Sequence, residues 1–178
     1  LSLHDALPIY PIIKIRELKE GITTQTPRYG LKELPEKYLV RNGDVLFSWS
    51  ADLDAYIWGS GKGWLNQHLF LVVPNSGISK NFIFYALKNR MDEFRARSLG
   101  TTMKHIKRSA LDQVSSIIPM QKVRTNFDSQ VSPLLNQIQC LRTKNSNLRK
   151  TRDLLLPKLI SGEVDVSALD INTAALAG

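Results

Sequence analysis

Several residues of this 178-residue chain are of types that carry out chemistry, and their spacing decides what kind. His4, His68 and His105 stand far apart, and none belongs to an HExxH-type pair that would set two metal ligands on one helix face. Asp44, Asp52 and Asp54 lie close enough to suggest a nuclease carboxylate cluster. No Glu-x-Lys follows them, since the one at Glu17 to Lys19 is upstream. Cys140 is the single cysteine, which excludes an internal disulfide and a multi-cysteine zinc site; beside an apolar helical run it reads as helix packing rather than a nucleophile. Gly59-Ser60-Gly61-Lys62-Gly63 imitates a phosphate-binding loop. That pattern needs glycine at 56 and Ser or Thr at 63, where this chain has Tyr56 and Gly63. With no glycine-rich dinucleotide fingerprint either, the chain reads as one that binds and does not catalyse.

Its charge says what it would bind. The formal net charge is +8, and between Lys80 and Arg108 eight basic residues face only Asp92 and Glu93. Beyond Lys158 the charged residues are Glu163, Asp165 and Asp170. A basic stretch on this scale suits a polyanion such as nucleic acid, although a solvated face carries the same signature. Arg28 and Tyr29 add a guanidinium and a ring at the centre of a polar loop. They would meet phosphate or bases, or Tyr29 would pack on its own domain.

Such residues need elements to hold them, and the clearest is a helix over Gln121 to Leu156. Apolar residues recur there at alternating intervals of four and three: Phe127, Val131, Leu134, Ile138, Leu141, Asn145, Leu148, Arg152, Leu155. Val131, Ile138 and Asn145 take heptad position a, and Phe127, Leu134, Leu141, Leu148 and Leu155 take d. Two residues per heptad make a seam for one partner helix, narrower than a core-facing stripe. Asn145 within it costs stability and fixes register and pairing state; the competing interpretation is an ordinary surface helix with an incidental polar residue. Ser132-Pro133 predicts either a kink near Pro133 or a short helix followed by a long one from about Leu134. Pro157 is expected to end it.

Upstream, the first ten residues carry no clear pattern, and PIIKIRELKEG predicts a strand entering a short helix that stops at Gly21. A long irregular loop follows to Val40. Asn42-Gly43-Asp44 signals a turn into a strand at Val45 to Phe47, Tyr56 to Trp58 a second strand, and Gly59 to Gly63 a hairpin tip presenting Lys62. Leu69 to Val73 predicts a buried strand stopped by Pro74. One helix is expected from Asn81 to Leu99, with Phe82, Ile83, Tyr85, Ala86, Leu87, Met91 and Phe94 on its apolar side and Gly100 after its end. A short amphipathic segment through Leu111 and a last strand at Val114 to Ile118 precede Pro119. The fold class is α+β: a globular part over residues 1–119, a long coiled-coil-type helix over 120–156, and a turn with a loose tail over 157–178. No apolar run approaches the roughly 20 residues that span a bilayer. The lone cysteine suits a reducing, cytoplasmic setting. A start at Leu1 suggests a fragment or a non-native beginning.

The ordered set NGDVLFS (42–48), LNQHLFLVVP (65–74), the Phe-rich helix at 82–87, GTTMKHI (100–106), SIIP (116–119) and NLRKTRDLLLPKLISGEV (147–164) resembles the DNA-specificity subunit of type I restriction-modification systems, in its C-terminal half. The resemblance covers about residues 11 to 166. It implies one target recognition domain up to about Pro119 and one conserved spacer helix. Whole subunits of that family carry two such halves, whose helices pack antiparallel and hold the domains apart on a bipartite DNA site. This chain has one half, and Pro133 departs from the family's spacer.

On that resemblance the partners are double-stranded DNA, the methyltransferase and restriction subunits, and either a second copy or the N-terminal half of the specificity subunit through the long helix. S-adenosylmethionine, ATP and Mg would sit on those partner subunits, with no metal or cofactor on this chain and no membrane role. Arg28, Ser48, Trp49, Lys62, Thr101, Thr102, Lys104 and His105 are the candidates for contact with bases or backbone, and Lys88, Arg95 and Arg97 for phosphate. A coiled-coil protein adaptor without a DNA role is the alternative, and a nuclease using Asp52 or Asp54 a third possibility.

Overall fold

A strand whose four residues are all buried must have a packed layer on each side, and β4 (Val45–Ser48) is such a strand. Side chains alternate across it. Leu46 enters a core with Ile13, Val40, Trp58 and Leu69, while Phe47 enters a second core with Leu53, Ala55, Met91, Phe94 and Ile106. The computed structural model describes residues 9–30, 35–100 and 105–167. It divides into two compact units, Leu1–Gln137 and Ile138–Gly178.

In the first unit the described residues form two sheets. One has the order β2-β1-β6-β3, from β1 (Ile9–Ile13), β2 (Arg28–Gly30), β3 (Leu39–Val40) and β6 (Gly63–Leu65); the other has β4 between β5 (Asp54–Ile57) and β7 (Leu69–Val72). Pairing is antiparallel except for β1 with β6, which run parallel at Ile12 to Trp64 and Ile13 to Leu65. There a glycine is required by space: a Cβ on Gly63 would lie 2.7 Å from Ile13 side-chain atoms and 3.0 Å from the Pro11 carbonyl oxygen. The short helix α1 (Ile15–Glu20) closes the first core with Ile15 and Leu18. Its Glu17 carboxylate, 1% exposed, accepts from the Lys14 N–H at 3.1 Å and from the Thr26 hydroxyl at 3.1 Å, pinning the loop that leads to β2.

Over the other face of β4 lie α2 (Lys80–Asn89), α3 (Met91–Ala96) and α4 (Arg108–Leu111). Ser79 caps α2, its hydroxyl accepting from the Phe82 N–H at 3.0 Å. The single helix expected over residues 81–99 is therefore two, and the second ends at Ala96. Arg90, at φ −104° and ψ 9°, leaves helical geometry, and the turn lets Met91 and Phe94 reach the second core.

Other expectations are also corrected. β5 and β6 belong to different sheets, so Gly59 to Lys62 is a crossover between sheets and not a hairpin tip. β7 is only partly buried, with Leu69 inside, Phe70 to Val72 half-buried and Val73 exposed, because one of its edges has no strand neighbour among the described residues. No strand forms at Val114 to Ile118. Ile117 is 82% exposed, and no sheet edge pairs with this segment.

The long helix α5 runs from Gln121 to Ile160. Its first four turns belong to the first unit, where Phe127 stands edge-on to Phe82 (6.0 Å) and Tyr85 (5.8 Å). Ser79 donates to Asp128 (2.6 Å), and Asn81 donates to the Ser132 hydroxyl (2.9 Å). These anchors lie in the turns before Pro133, and the helix runs through that proline unbroken. Pro157 does not end it either. The chain turns at Gly162, whose φ of 75° supplies the left-handed residue that stops a helix, and the Ser161 N–H still donates to the Pro157 carbonyl at 3.0 Å. No helix among the described residues is long and apolar enough to cross a membrane.

Candidate nucleic-acid interface

The C-terminal end of β4 gathers a polar and aromatic cluster. The Trp49 N–H donates to the His68 carbonyl (3.3 Å), and the Trp49 carbonyl accepts from the Ile106 N–H (2.9 Å), so the β4 exit is tied on one side to the start of β7 and on the other to the His105 segment. His105 and Leu99 exchange backbone hydrogen bonds at 2.9 and 2.8 Å, and His105 bridges to Ser50 as well. Side chains reinforce the knot. Ser50 Oγ and His68 Nδ1 are hydrogen-bonded at 2.9 Å, the Trp49 indole N–H donates to the Gln67 carbonyl at 3.0 Å, and the indole stacks on Phe70 with centroids 6.0 Å apart. The rigid base is β4 itself, and the exposed Gln67 side chain with the half-buried His68, Trp49 and His105 forms its rim.

Exposed cations stand beside this rim. Lys107 and Arg108 follow His105 after the buried Ile106, and among the described residues neither has an ion-pair partner. The α2 and α3 candidates are committed elsewhere: Lys88 to Asp54 at 2.6 Å, Arg95 to Asp92 at 3.1 Å and Arg97 to the Glu93 carbonyl at 3.0 Å. Ser48 is fully buried, with its hydroxyl donating to the Ser50 carbonyl, so it shapes the β4 exit and touches no solvent. Lys62 is exposed at the opposite end of β4, where the Gly61 N–H donates to the Asn42 side chain; four residues of strand separate the two ends by about 13 Å. Arg28 is exposed on β2, at the edge of the other sheet. Trp49 and His105 are thus brought together, while Arg28 and Lys62 are not part of that cluster. Thr101, Thr102 and Lys104 lie outside the described residues.

Each of the three neighbouring carboxylates has its own lysine: Asp44 with Lys80 (2.6 Å), Asp52 with Lys19 (2.7 Å) and Asp54 with Lys88 (2.6 Å). The Lys19 hydrogen bond holds the Asp52 carboxyl below its ordinary pKa, with help from the Tyr56 hydroxyl donating at 3.0 Å. Burial, then the same carboxylate, pushes the Tyr56 phenol well above its ordinary value. No group of three or more metal-ligating side chains occurs among the described residues.

Separately, in the second unit, the α5 seam residues Ile138, Leu141, Leu148 and Leu155 are all exposed, with Asn145 among them. Because the helix passes Pro157, Leu159 falls at the next a position and extends the seam. In the first unit Leu134 is exposed and Val131 half-buried, while Phe127 is already taken by α2.

Comparison with known proteins places this arrangement. A family model described as the type I restriction modification DNA specificity domain matches residues 4–150. The chain belongs to that family. This specificity domain is similar to the type I restriction enzyme MjaIX specificity subunit of Methanocaldococcus jannaschii, 36% identical over 172 residues that cover 89% of this chain and 38% of that protein. It is also similar to the EcoBI specificity subunit of Escherichia coli, 24% identical over 168 residues, 92% of this chain and 35% of that protein. The chain thus spans less than two fifths of the length of these curated relatives. A crystal structure of the type I restriction-modification system S subunit from M. genitalium shares the fold at a TM-score of 0.53 and 17% identity, covering 90% of this chain and 48% of that one.

Within the specificity domain, spacing missed Ser50, Gln67, His68, Lys107 and Arg108. The pairing of β4 with β7, set at Ser48 to Leu69, is what carries His68 to Trp49, and nothing local in sequence announces it. Lys107 and Arg108 did stand in the basic run. Their exposure next to His105 singles them out from cations that are already paired.

Proposed function

We propose that this chain is the DNA-reading part of a type I restriction-modification complex, recognising sequence without catalysing a reaction. It would position methyltransferase and endonuclease subunits on one half of a bipartite site. The observation that carries this is the β4 exit, where a hydrogen-bonded rim of Gln67, His68, Trp49 and His105 is followed in the chain by exposed Lys107 and Arg108, which have no ion-pair partner among the described residues. Base edges are read by such hydrogen-bonding side chains held on strand ends, and neighbouring cations fix register on phosphates. S-adenosylmethionine, ATP and Mg belong on the partner subunits in this scheme, and the setting is the cytoplasm. The long helix α5 serves as spacer, and its exposed seam takes a partner helix.

The test is to assemble the chain with methyltransferase subunits and map methylated sites on a random-sequence DNA pool. A defined set of bases, shifted by changes at Gln67 or His105, is the expected result. Methylation with no sequence preference would overturn the proposal.

A further inference from the structure

A cavity of about 410 Å³ opens beside β7, on the second-core side of its sheet. Its walls are mostly apolar, with Phe47 and Phe94 edge-on at 5.2 Å and Phe70, Leu87 and Leu111 around them. Two polar groups interrupt that lining. One is Arg108, whose guanidinium has no hydrogen-bond or ion-pair partner among the described residues, Asp112 one turn on included. The other is backbone, since Leu71 lines the cavity although its side chain packs on the first core. The bond from the Trp49 N–H to the His68 carbonyl marks those two as a hydrogen-bonded pair, and in an antiparallel ladder such pairs alternate. Phe47 with Phe70 and Val45 with Val72 are the next two, so Leu71 turns its N–H and C=O away from β4. No strand among the described residues takes that edge of β7, and no backbone hydrogen bond from them meets Leu71 there.

The cavity falls within the roughly 300–1,000 Å³ of small-ligand sites, and an apolar hollow with a few convergent polar groups is how such sites are built. An unpaired guanidinium favours an anion, and its planar fork matches a carboxylate. One cation also sets a limit. A second negative charge would lose its water without gaining a partner, so the ligand carries one. Three phenyl rings in the walls suit an aromatic body, which meets them edge-on or offset. We propose that this cavity binds a small aryl carboxylate, its ring among Phe47, Phe70 and Phe94 and its carboxylate accepting from the Arg108 guanidinium and the Leu71 N–H. Arg108 is also a phosphate candidate. On the DNA reading given above, the bound carboxylate and DNA would compete for that guanidinium, each weakening the other.

The site can be tested on the full chain without DNA, which keeps its failure distinct from a failure of DNA recognition. Naphthoate and naphthamide, alike in shape and different in charge, are the probes for calorimetric titration. Naphthoate is expected to bind at least about tenfold more tightly, as a charge-assisted hydrogen bond requires. Arg108→Gln should remove that preference. Leu111→Trp, which fills the hollow and leaves Arg108 in place, should weaken both probes at least about tenfold, with urea midpoints showing that each variant folds. Bound naphthoate should slow hydrogen exchange at the Leu71 amide. Equal binding of the two probes, a preference that survives Arg108→Gln, undiminished binding by folded Leu111→Trp, or an unchanged Leu71 amide would each overturn the site. In the assembled complex, saturating naphthoate should weaken duplex DNA binding severalfold at low salt. DNA affinity unmoved by naphthoate would overturn the competition, and a complex that does not bind DNA would remove it together with the DNA reading, while the site stands on the titrations.

Discussion

Ser50 and His68, eighteen residues apart, meet at 2.9 Å where β4 ends and β7 begins. Ser50 is nearly inaccessible, whereas His68 is half-buried at the rim, so the hydroxyl orients a ring that faces outward. Ser50→Ala should therefore cost about 1 kcal/mol of stability and free the His68 ring. A lower urea midpoint with unchanged slope, together with weaker discrimination among DNA sequences by the assembled complex, is the expected outcome. A fall in stability with discrimination intact would confine the pair to a structural role.

Lys107 and Arg108 differ from Lys88 in having, among the described residues, no carboxylate paired with them. Replacing both by Gln should weaken DNA binding roughly equally for all sequences and reduce the dependence of log affinity on log salt by about one phosphate contact each. Lys88→Gln should leave that slope unchanged and lower stability instead, since Asp54 loses its partner. Titrations by fluorescence anisotropy across a salt series separate the two cases.

Which parts of this arrangement were legible beforehand follows from the range of the forces involved. β1, α1 with its Gly21 stop, β4 and α5 are announced by local patterns; α1 and β4 formed where those patterns predicted, while β1 starts two residues before the pattern and α5 runs four residues past it. The break at Arg90 depends on the second core, to which Phe47, Met91 and Phe94 come from distant segments. The crossover at Lys62 depends on which sheet β6 joins, decided by its parallel pairing with β1 some fifty residues upstream. The helix end at Gly162 was visible in sequence, but Pro157 was the stronger breaker on local grounds. An exposed helix meets the loss of one backbone hydrogen bond with water, so the left-handed glycine set the terminus.

Asp52 and Tyr56 tie stability to pH at both extremes. Asp52 has a folded-state pKa below its unfolded value, so it adds stability at neutral pH that is lost as pH falls below about 4. Tyr56 is raised, so its contribution is whole below about pH 10 and is lost as pH rises beyond that. Tyr56→Phe should lower the urea midpoint at neutral pH but flatten its decline on the alkaline side. Asp52→Asn should weaken both limbs, because the carboxylate accounts for part of the Tyr56 shift and loses its own bond to Lys19. Urea midpoints collected from strongly acid to strongly alkaline pH check all three curves.

Asn145 is the uncharged polar residue among the leucines and isoleucine of the open α5 seam, which also carries Arg152 one heptad on. A polar residue at a weakens pairing, yet it penalises every register that leaves its amide facing an apolar partner position. Asn145→Leu should remove that penalty. The variant chain should then pair more tightly but in more than one register, giving several species by sedimentation where the parent gives one. If the variant sediments as the parent does, register is set elsewhere on the helix.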